Sequence, residues 1–91
     1  DYMKSDMNDL VTATYKLLVL LYDNQVIANN EIYCPLSQDE MATLMNTTRA
    51  TVNTHLIKLK ELGFLETDVG KTKKYILTDR AIQIVEKIEK I

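Results

Sequence analysis

The sequence contains few of the residues that mark several protein classes. Its 91 residues include one cysteine, one proline, two glycines and no tryptophan. A lone cysteine, Cys34, cannot form an internal disulfide, so a disulfide-stapled scaffold is excluded and a buried thiol in a reducing compartment is expected. The low glycine and proline content excludes collagen, and the apolar fraction of 46% excludes disorder. The composition is that of an ordinary globular protein.

Long apolar runs and a targeting segment are also missing. The longest apolar run, 17–22, has six residues, whereas a membrane-spanning helix needs about 20. The chain opens on Asp1 without a basic and then apolar signal segment. We therefore expect a cytoplasmic protein without membrane association. The length predicts a single domain, 1–91, which can be a fragment of a longer chain.

Charge is distributed unevenly along the chain. The net charge is −2, but residues 1–44 carry two lysines against seven acids, a balance of −5. Residues 45–80 carry seven cations against four acids, a balance of +3. A small domain with one basic half is typical of a nucleic-acid-binding protein with one working face.

Helical and strand-like patterns alternate in the first half of the chain. Apolar residues at three- and four-residue spacing predict a first helix over 9–28, and residues 31–34 predict a short edge strand before Pro35. The sequence SQDE at 37–40 is a capping box. It begins a second helix that ends near Met45 and faces inward through three residues: Met41, Leu44 and Met45.

Turn and cap signals connect the elements of the second half. Asn46 tolerates a positive φ and predicts a tight turn, Thr48 is a natural N-cap, and Gly63 ends the third helix. Segments 64–67 and 74–77 predict a β-hairpin with a basic tip. A last helix follows Thr78, with an apolar stripe of Ala81, Ile84, Val85, Ile88 and Ile91. The fold class is mainly α with a small β-hairpin: a winged helix-turn-helix in the order helix, short strand, helix, turn, recognition helix, two-stranded wing, helix.

A helix-turn-helix places its second helix in the major groove of DNA. Here that recognition helix is Thr48–Leu62, and the wing, Asp68–Lys74, is expected on the DNA backbone or in the minor groove. The face opposite Val52, with Arg49 on its flank, predicts the base contacts near the start of the helix. An arginine is suited to guanine and an asparagine to adenine, and the candidates are Arg49, Ala50, Asn53 and Thr54. Hydroxyls and lysines predict the phosphate contacts: Thr47, Thr48, Thr51, Lys58, Lys71, Lys73 and Lys74. The alternative is a solvated helix face beside an ordinary charged hairpin.

Residues 37–66 resemble the DNA-binding motif of bacterial winged-helix regulators, in particular the cyclic-AMP receptor/fumarate-nitrate regulator family. The residues in register with that motif are Ser37, Glu40, Met41, Ala42, Thr48, Arg49, Thr51, Val52, Leu56 and Leu59. The resemblance implies that Arg49 contacts DNA and that Ala42 allows close helix packing. The chain departs from the family pattern at Asn46, Ala50, Thr54 and His55, so the family's base specificity does not carry over.

Residues 73–91 are similar to the wing strand and following helix of the MarR (multiple-antibiotic-resistance repressor) type. Ile82 replaces the glycine of that pattern. The resemblance implies a DNA-binding transcription regulator whose terminal helices form a homodimer. Apolar residues beyond the core stripes agree with a partner surface: Tyr15, Val19, Tyr22, Val26, Ile82, Ile88 and Ile91. A missing domain, or simple core packing, would also account for them.

Catalytic and metal-binding patterns are lacking. His55 is the only histidine and Cys34 the only cysteine, without a glycine-rich phosphate loop or a two-cysteine spacing. We therefore expect that the protein is not an enzyme and binds neither a cofactor nor a metal. His55 is expected to pack at the edge of the buried face, and the alternative for His55 is a role as a ligand or proton sensor. The functional hypothesis is sequence-specific binding of double-stranded DNA by a prokaryotic-type transcription regulator. The alternatives are a protein-interaction module and the DNA-binding domain of a plasmid replication initiator. No pattern names a small-molecule effector.

Overall fold

The computed structural model describes the backbone of residues 2–70 and 73–89, and the side chains of residues 12–68, 70 and 73–88. Within these residues the chain forms, in order, α1 (Tyr2–Asp23), β1 (Val26–Ala28), β2 (Glu31–Tyr33), α2 (Gln38–Leu44), α3 (Arg49–Glu61), β3 (Leu65–Val69), β4 (Lys73–Leu77) and α4 (Asp79–Glu89). Both pairs of consecutive strands are antiparallel hairpins. This is the predicted winged helix-turn-helix, with one additional short strand.

The boundaries predicted for the first helix are wrong. The helix begins at Tyr2 and ends at Asp23, and Val26–Ala28 form a strand that pairs with the expected strand at 31–33. Asn29 and Asn30 cause the reversal, because both adopt positive φ (53° and 65°) and form a two-residue hairpin turn. Val26, expected on the partner surface of the first helix, therefore lies on β1.

The caps around α2 are as predicted. The N–H of Glu40 donates to Ser37 Oγ (3.1 Å), and the N–H of Ser37 donates to Glu40 Oε1 (3.0 Å). This reciprocal bonding satisfies two backbone donors at the start of the helix. Asn46 then turns the chain with φ of 56°, and the N–H of Thr47 donates to the carbonyl of Ala42 (2.9 Å). The tight turn thus brings α3 directly against α2.

The limits of α3 follow the same local rules. Thr48 is the N-cap, and its Oγ1 accepts the N–H of Thr51 (3.2 Å). Gly63 follows the C-cap Leu62 and has a φ of 79°. This conformation is energetically unfavourable for residues that carry a Cβ atom. Both predicted ends of this helix are confirmed.

One hydrophobic core joins all four helices to the wing. Its buried members are Leu17, Leu18, Leu21, Cys34, Met41, Ala42, Val52, Leu56, Leu59, Leu65, Tyr75, Leu77, Ala81 and Val85. Leu44, expected to face inward, is 58% exposed. The buried face of α2 is centred between Met41 and Ala42, and Leu44 lies about 110° of helical rotation from that centre. Leu62, also expected on the buried face, is 41% exposed, because the chain turns away at Gly63.

The residues expected on a partner surface mostly belong to this core. Tyr15, Val19, Tyr22 and Ile82 are half-buried and pack against it, so core packing accounts for these four. Ile88 remains 48% exposed on α4. The side chain of Ile91 lies outside the described residues. Within the described residues, none of the helices is both long and apolar enough to cross a membrane.

The wing is tied to the first hairpin through Cys34. The N–H of Cys34 donates to the carbonyl of Tyr75 (2.8 Å), and the N–H of Tyr75 donates to the carbonyl of Cys34 (3.2 Å). The thiol is buried, as predicted, and burial raises its pKa. The wing strands run longer than predicted, to Val69 and from Lys73. The two hairpins are therefore held side by side.

Candidate nucleic-acid interface

The two faces of α3 differ sharply in exposure. Four residues of its inner face are buried: Val52, His55, Leu56 and Leu59. All six candidate contacts on the other faces of the helix are exposed: Arg49, Ala50, Thr51, Asn53, Thr54 and Lys58. Because α3 packs on α1 and α2 through its inner face only, its outer face is free to enter a groove. The structure thus brings the predicted recognition residues together on one surface.

Hydrogen bonds limit what the threonines of this surface can offer. Thr54 Oγ1 donates to the carbonyl of Ala50 (3.1 Å), which leaves its oxygen as an acceptor for an outside group. Thr48 Oγ1 donates to Thr51 Oγ1 (2.9 Å). The amide of Asn53 makes no hydrogen bond within the described residues, and it is therefore free for the paired contact that adenine offers.

Arg49 has a partner that the sequence did not predict. Its Nη1 lies 3.6 Å from Asp39 Oδ2, and the two side chains are 66% and 74% exposed. An ion pair this open contributes about 0–1 kcal/mol, so a nucleic-acid group can replace it. Asp39 belongs to the acidic first turn of α2, where a negative charge also interacts favourably with the helix dipole.

A cleft of about 210 Å³ separates the start of α2 and α3 from the wing. It is lined by Pro35, Leu36, Ser37, Gln38, Arg49, Lys73 and Tyr75. The packing therefore places the cations of the recognition helix and the wing on one cleft. Gln38, which the sequence did not single out, also lines it and donates from Nε2 to the hydroxyl of Tyr75 (3.4 Å).

The wing lysines have unlike environments. Lys74 Nζ lies 2.8 Å from Glu31 Oε2 and 4.8 Å from the centre of the Tyr33 ring. The hydrogen bond to Glu31 raises the pKa of Lys74. Lys73 is exposed, with Nζ 5.5 Å from the centre of the Tyr75 ring. Lys71, the third predicted wing contact, lies outside the described residues.

His55 is more deeply buried than expected. It is 4% exposed, and its Nδ1 lies 2.9 Å from Thr14 Oγ1 of α1. Burial disfavours the imidazolium form and lowers the pKa of His55. Over the part of the chain that the structure describes, no group of three or more histidine, cysteine, aspartate or glutamate side chains could hold a metal ion.

Comparisons with known proteins agree with this geometry. The family model of the Crp-like helix-turn-helix domain matches residues 15–82. The structure of the S. aureus MepR–DNA complex is similar to this chain with a TM-score of 0.69 and 21% identity, covering 98% of this chain and 74% of that one. TubR bound to 24 bp of tubC from Bacillus thuringiensis serovar israelensis pBtoxis has a TM-score of 0.64 and 22% identity, covering 87% of this chain and 81% of that one. No curated protein matches the sequence.

Proposed function

The chain belongs to the Crp-like helix-turn-helix domain family, and on this premise we propose that it is a DNA-binding transcription regulator of the prokaryotic type. It recognises specific sequences in double-stranded DNA. The observation that carries the proposal is the outer surface of α3. There Arg49 is held only by an exposed ion pair, and Asn53 makes no hydrogen bond within the described residues. Both structural neighbours are described as bound to DNA. The proposal assigns the chain no catalytic reaction, and it places the protein in the cytoplasm.

The proposed mode of binding places α3 in the major groove. Arg49 and Asn53 contact base edges. An arginine side chain can form two hydrogen bonds to guanine, and an asparagine side chain can form two to adenine. Ala50 and Thr54 line the same readout surface. The phosphates on either side are held by the remaining predicted contacts: Thr47, Thr48, Thr51, Lys58, Lys71, Lys73 and Lys74. Phosphate contacts position the helix, and base contacts supply the sequence preference.

A homodimer completes the proposal. Two recognition helices related by a two-fold axis would meet a palindromic site at half-sites about 34 Å apart. The exposed Ile88 on α4 supports a partner surface at this helix. The mass of the protein in solution, measured by light scattering, tests this part separately from DNA binding.

The decisive experiment compares two variants of Arg49 on the preferred duplex and on mixed duplex DNA. Arg49→Ala should lower the preference for the cognate site by about 1–3 kcal/mol, because it removes a paired base contact. Arg49→Lys is the matched control, since lysine keeps the charge and loses the planar fork. If Arg49 contacts a base, both variants lose the preference for the cognate duplex over mixed duplex DNA.

Two outcomes would contradict the proposal at different levels. Equal weakening on both duplexes by Arg49→Ala, with recovery in Arg49→Lys, would make Arg49 a backbone contact. Absence of binding to any duplex at low salt would reject DNA binding and favour the protein-interaction alternative.

A further inference from the structure

A second cleft lies on the other flank of α3, between this helix and α1. Its volume is about 370 Å³. It is lined by Thr12, Ala13 and Lys16 of α1, by Met45, Asn46 and Thr47 of the turn, and by Thr51 and His55 of α3. At about 100° of rotation per residue, Thr51 and His55 lie on one flank of α3 and Arg49 lies on the other. The two clefts therefore border opposite sides of the recognition helix.

The chemistry of this cleft suits an anion. Lys16 supplies an exposed positive charge, and three threonine hydroxyls can donate hydrogen bonds. Among the lining residues, all in the described part of the chain, there is no carboxylate to neutralise the lysine. Thr47 directly precedes the N-cap of α3 and Thr51 lies in its first turn, at the end of the helix that is expected to enter the groove.

His55 adds an independent observation. Its Nδ1 is occupied by Thr14, and its Nε2 has no hydrogen-bond partner among the described residues. No fully buried side-chain nitrogen or oxygen in this part of the chain lacks a partner, so Nε2 is not sealed from solvent, and the ring to which it belongs lines this cleft. When Nδ1 accepts a hydrogen bond from the Thr14 hydroxyl, Nε2 carries the ring hydrogen and can donate it to a group bound in the cleft.

We propose that this cleft binds a phosphodiester group of the DNA backbone, with Lys16 and His55 as contacts that extend the interface onto α1. The inference rests on the proposed function and adds to it. A helix in the major groove has one sugar–phosphate strand on each side. The cleft of Arg49 and Lys73 would face one strand, and the cleft of Lys16 and His55 would face the other.

Lys16→Gln tests the site without touching the core, because this side chain is exposed. Each lysine that neutralises a phosphate contributes about 0.9 to the slope of log affinity against log salt concentration. The variant should therefore flatten the slope by about 0.9 and weaken cognate and mixed duplexes by the same factor. Lys87→Gln is the matched control: it makes the same charge change on an exposed lysine of α4 that borders neither cleft, and its slope should stay unchanged.

The ring of His55 supplies a second readout. It is the only histidine, so its NMR ring-proton signals are unambiguous in the folded protein. A phosphate at Nε2 favours the imidazolium form, and the pKa of His55 should be higher in the DNA complex than in the free protein. Among the described residues that line the cleft, Lys16 is the only other titratable side chain, and as a cation it acts against that rise.

The outcomes separate this inference from the proposed function. If the wild-type chain binds duplex DNA and Lys16→Gln leaves its slope unchanged, the cleft is not a phosphate site and the proposed function stands. An unchanged pKa of His55 in the complex would remove His55 from the interface. Inorganic phosphate that raises the pKa of His55 as much as DNA does would make this a small-anion site. If no duplex binds, the proposed function itself fails.

Discussion

Lys73 and Lys74 are neighbours on β4, yet their charges have different surroundings. Lys73 is exposed, with its Nζ 5.5 Å from the centre of the Tyr75 ring and without an ion pair among the described residues. Lys74 Nζ is 2.8 Å from Glu31 Oε2, so its charge is already largely balanced before any phosphate approaches. The two positions should therefore contribute unequally to DNA binding.

The magnitude follows from counterion release. A lysine that neutralises one phosphate contributes about 0.9 to the salt slope. Lys73→Gln should flatten the slope by about that amount. Lys74→Gln should flatten the slope by less than half of that amount, because Lys74 must break its ion pair with Glu31 before it can bind a phosphate. Glu31→Gln should steepen the slope of the wild-type chain, since it releases Lys74 for a phosphate.

Fluorescence anisotropy with one labelled duplex at several salt concentrations measures all three variants. Circular dichroism of each variant confirms that the wing is still folded, as Lys74 also connects the wing to β2. Equal flattening by Lys73→Gln and Lys74→Gln, together with an unchanged slope for Glu31→Gln, would refute the reasoning. The ion pair would then open freely, and its geometry would say nothing about binding.

Three further predictions concern stability, each measured by urea unfolding. Gly63→Ala should lower the free energy of unfolding by about 1–2 kcal/mol, because the φ of 79° is strained for alanine while the new Cβ would meet nothing nearer than an arginine nitrogen at 3.8 Å. Gly70→Ala is its control, with the nearest atom at 3.9 Å and no such φ. Ser37→Ala should cost about 1 kcal/mol through loss of the α2 cap. The free energy of unfolding should also decrease as the pH is lowered below 6.5. At such pH His55 binds a proton in the unfolded chain, whereas burial keeps the pKa of the ring lower in the folded chain.

Each of these has an outcome that contradicts it. Equal effects at both glycines would show that helix or loop propensity, rather than the left-handed turn, sets the cost. An unchanged stability of Ser37→Ala would mean that water replaces the cap without loss. The pH effect should be absent in His55→Gln; if the decline below pH 6.5 persists there, other groups cause it.

The helix-turn-helix could be predicted because its signals are local. The capping box at 37–40, the left-handed Asn46, the N-cap Thr48 and the terminating Gly63 each act on backbone groups within a few residues. Such interactions form in the same way wherever the segment lies in the fold. The failure at 26–28 arose because this short apolar segment suits a helix end and a strand equally. Pairing with β2 decided in favour of the strand.

The surroundings of the functional groups were decided by the tertiary structure. Glu31 meets Lys74 across 43 positions of the chain, and Thr14 meets His55 across 41. A helical wheel could place His55 near the buried face, but it could not show how far α1 covers that face. The sequence by itself determined the elements and the exposed face of the recognition helix, through hydrophobic period and caps. Which cation stays free, which is paired, and which clefts flank α3 depend on side chains far apart in sequence, and only packing brings those together.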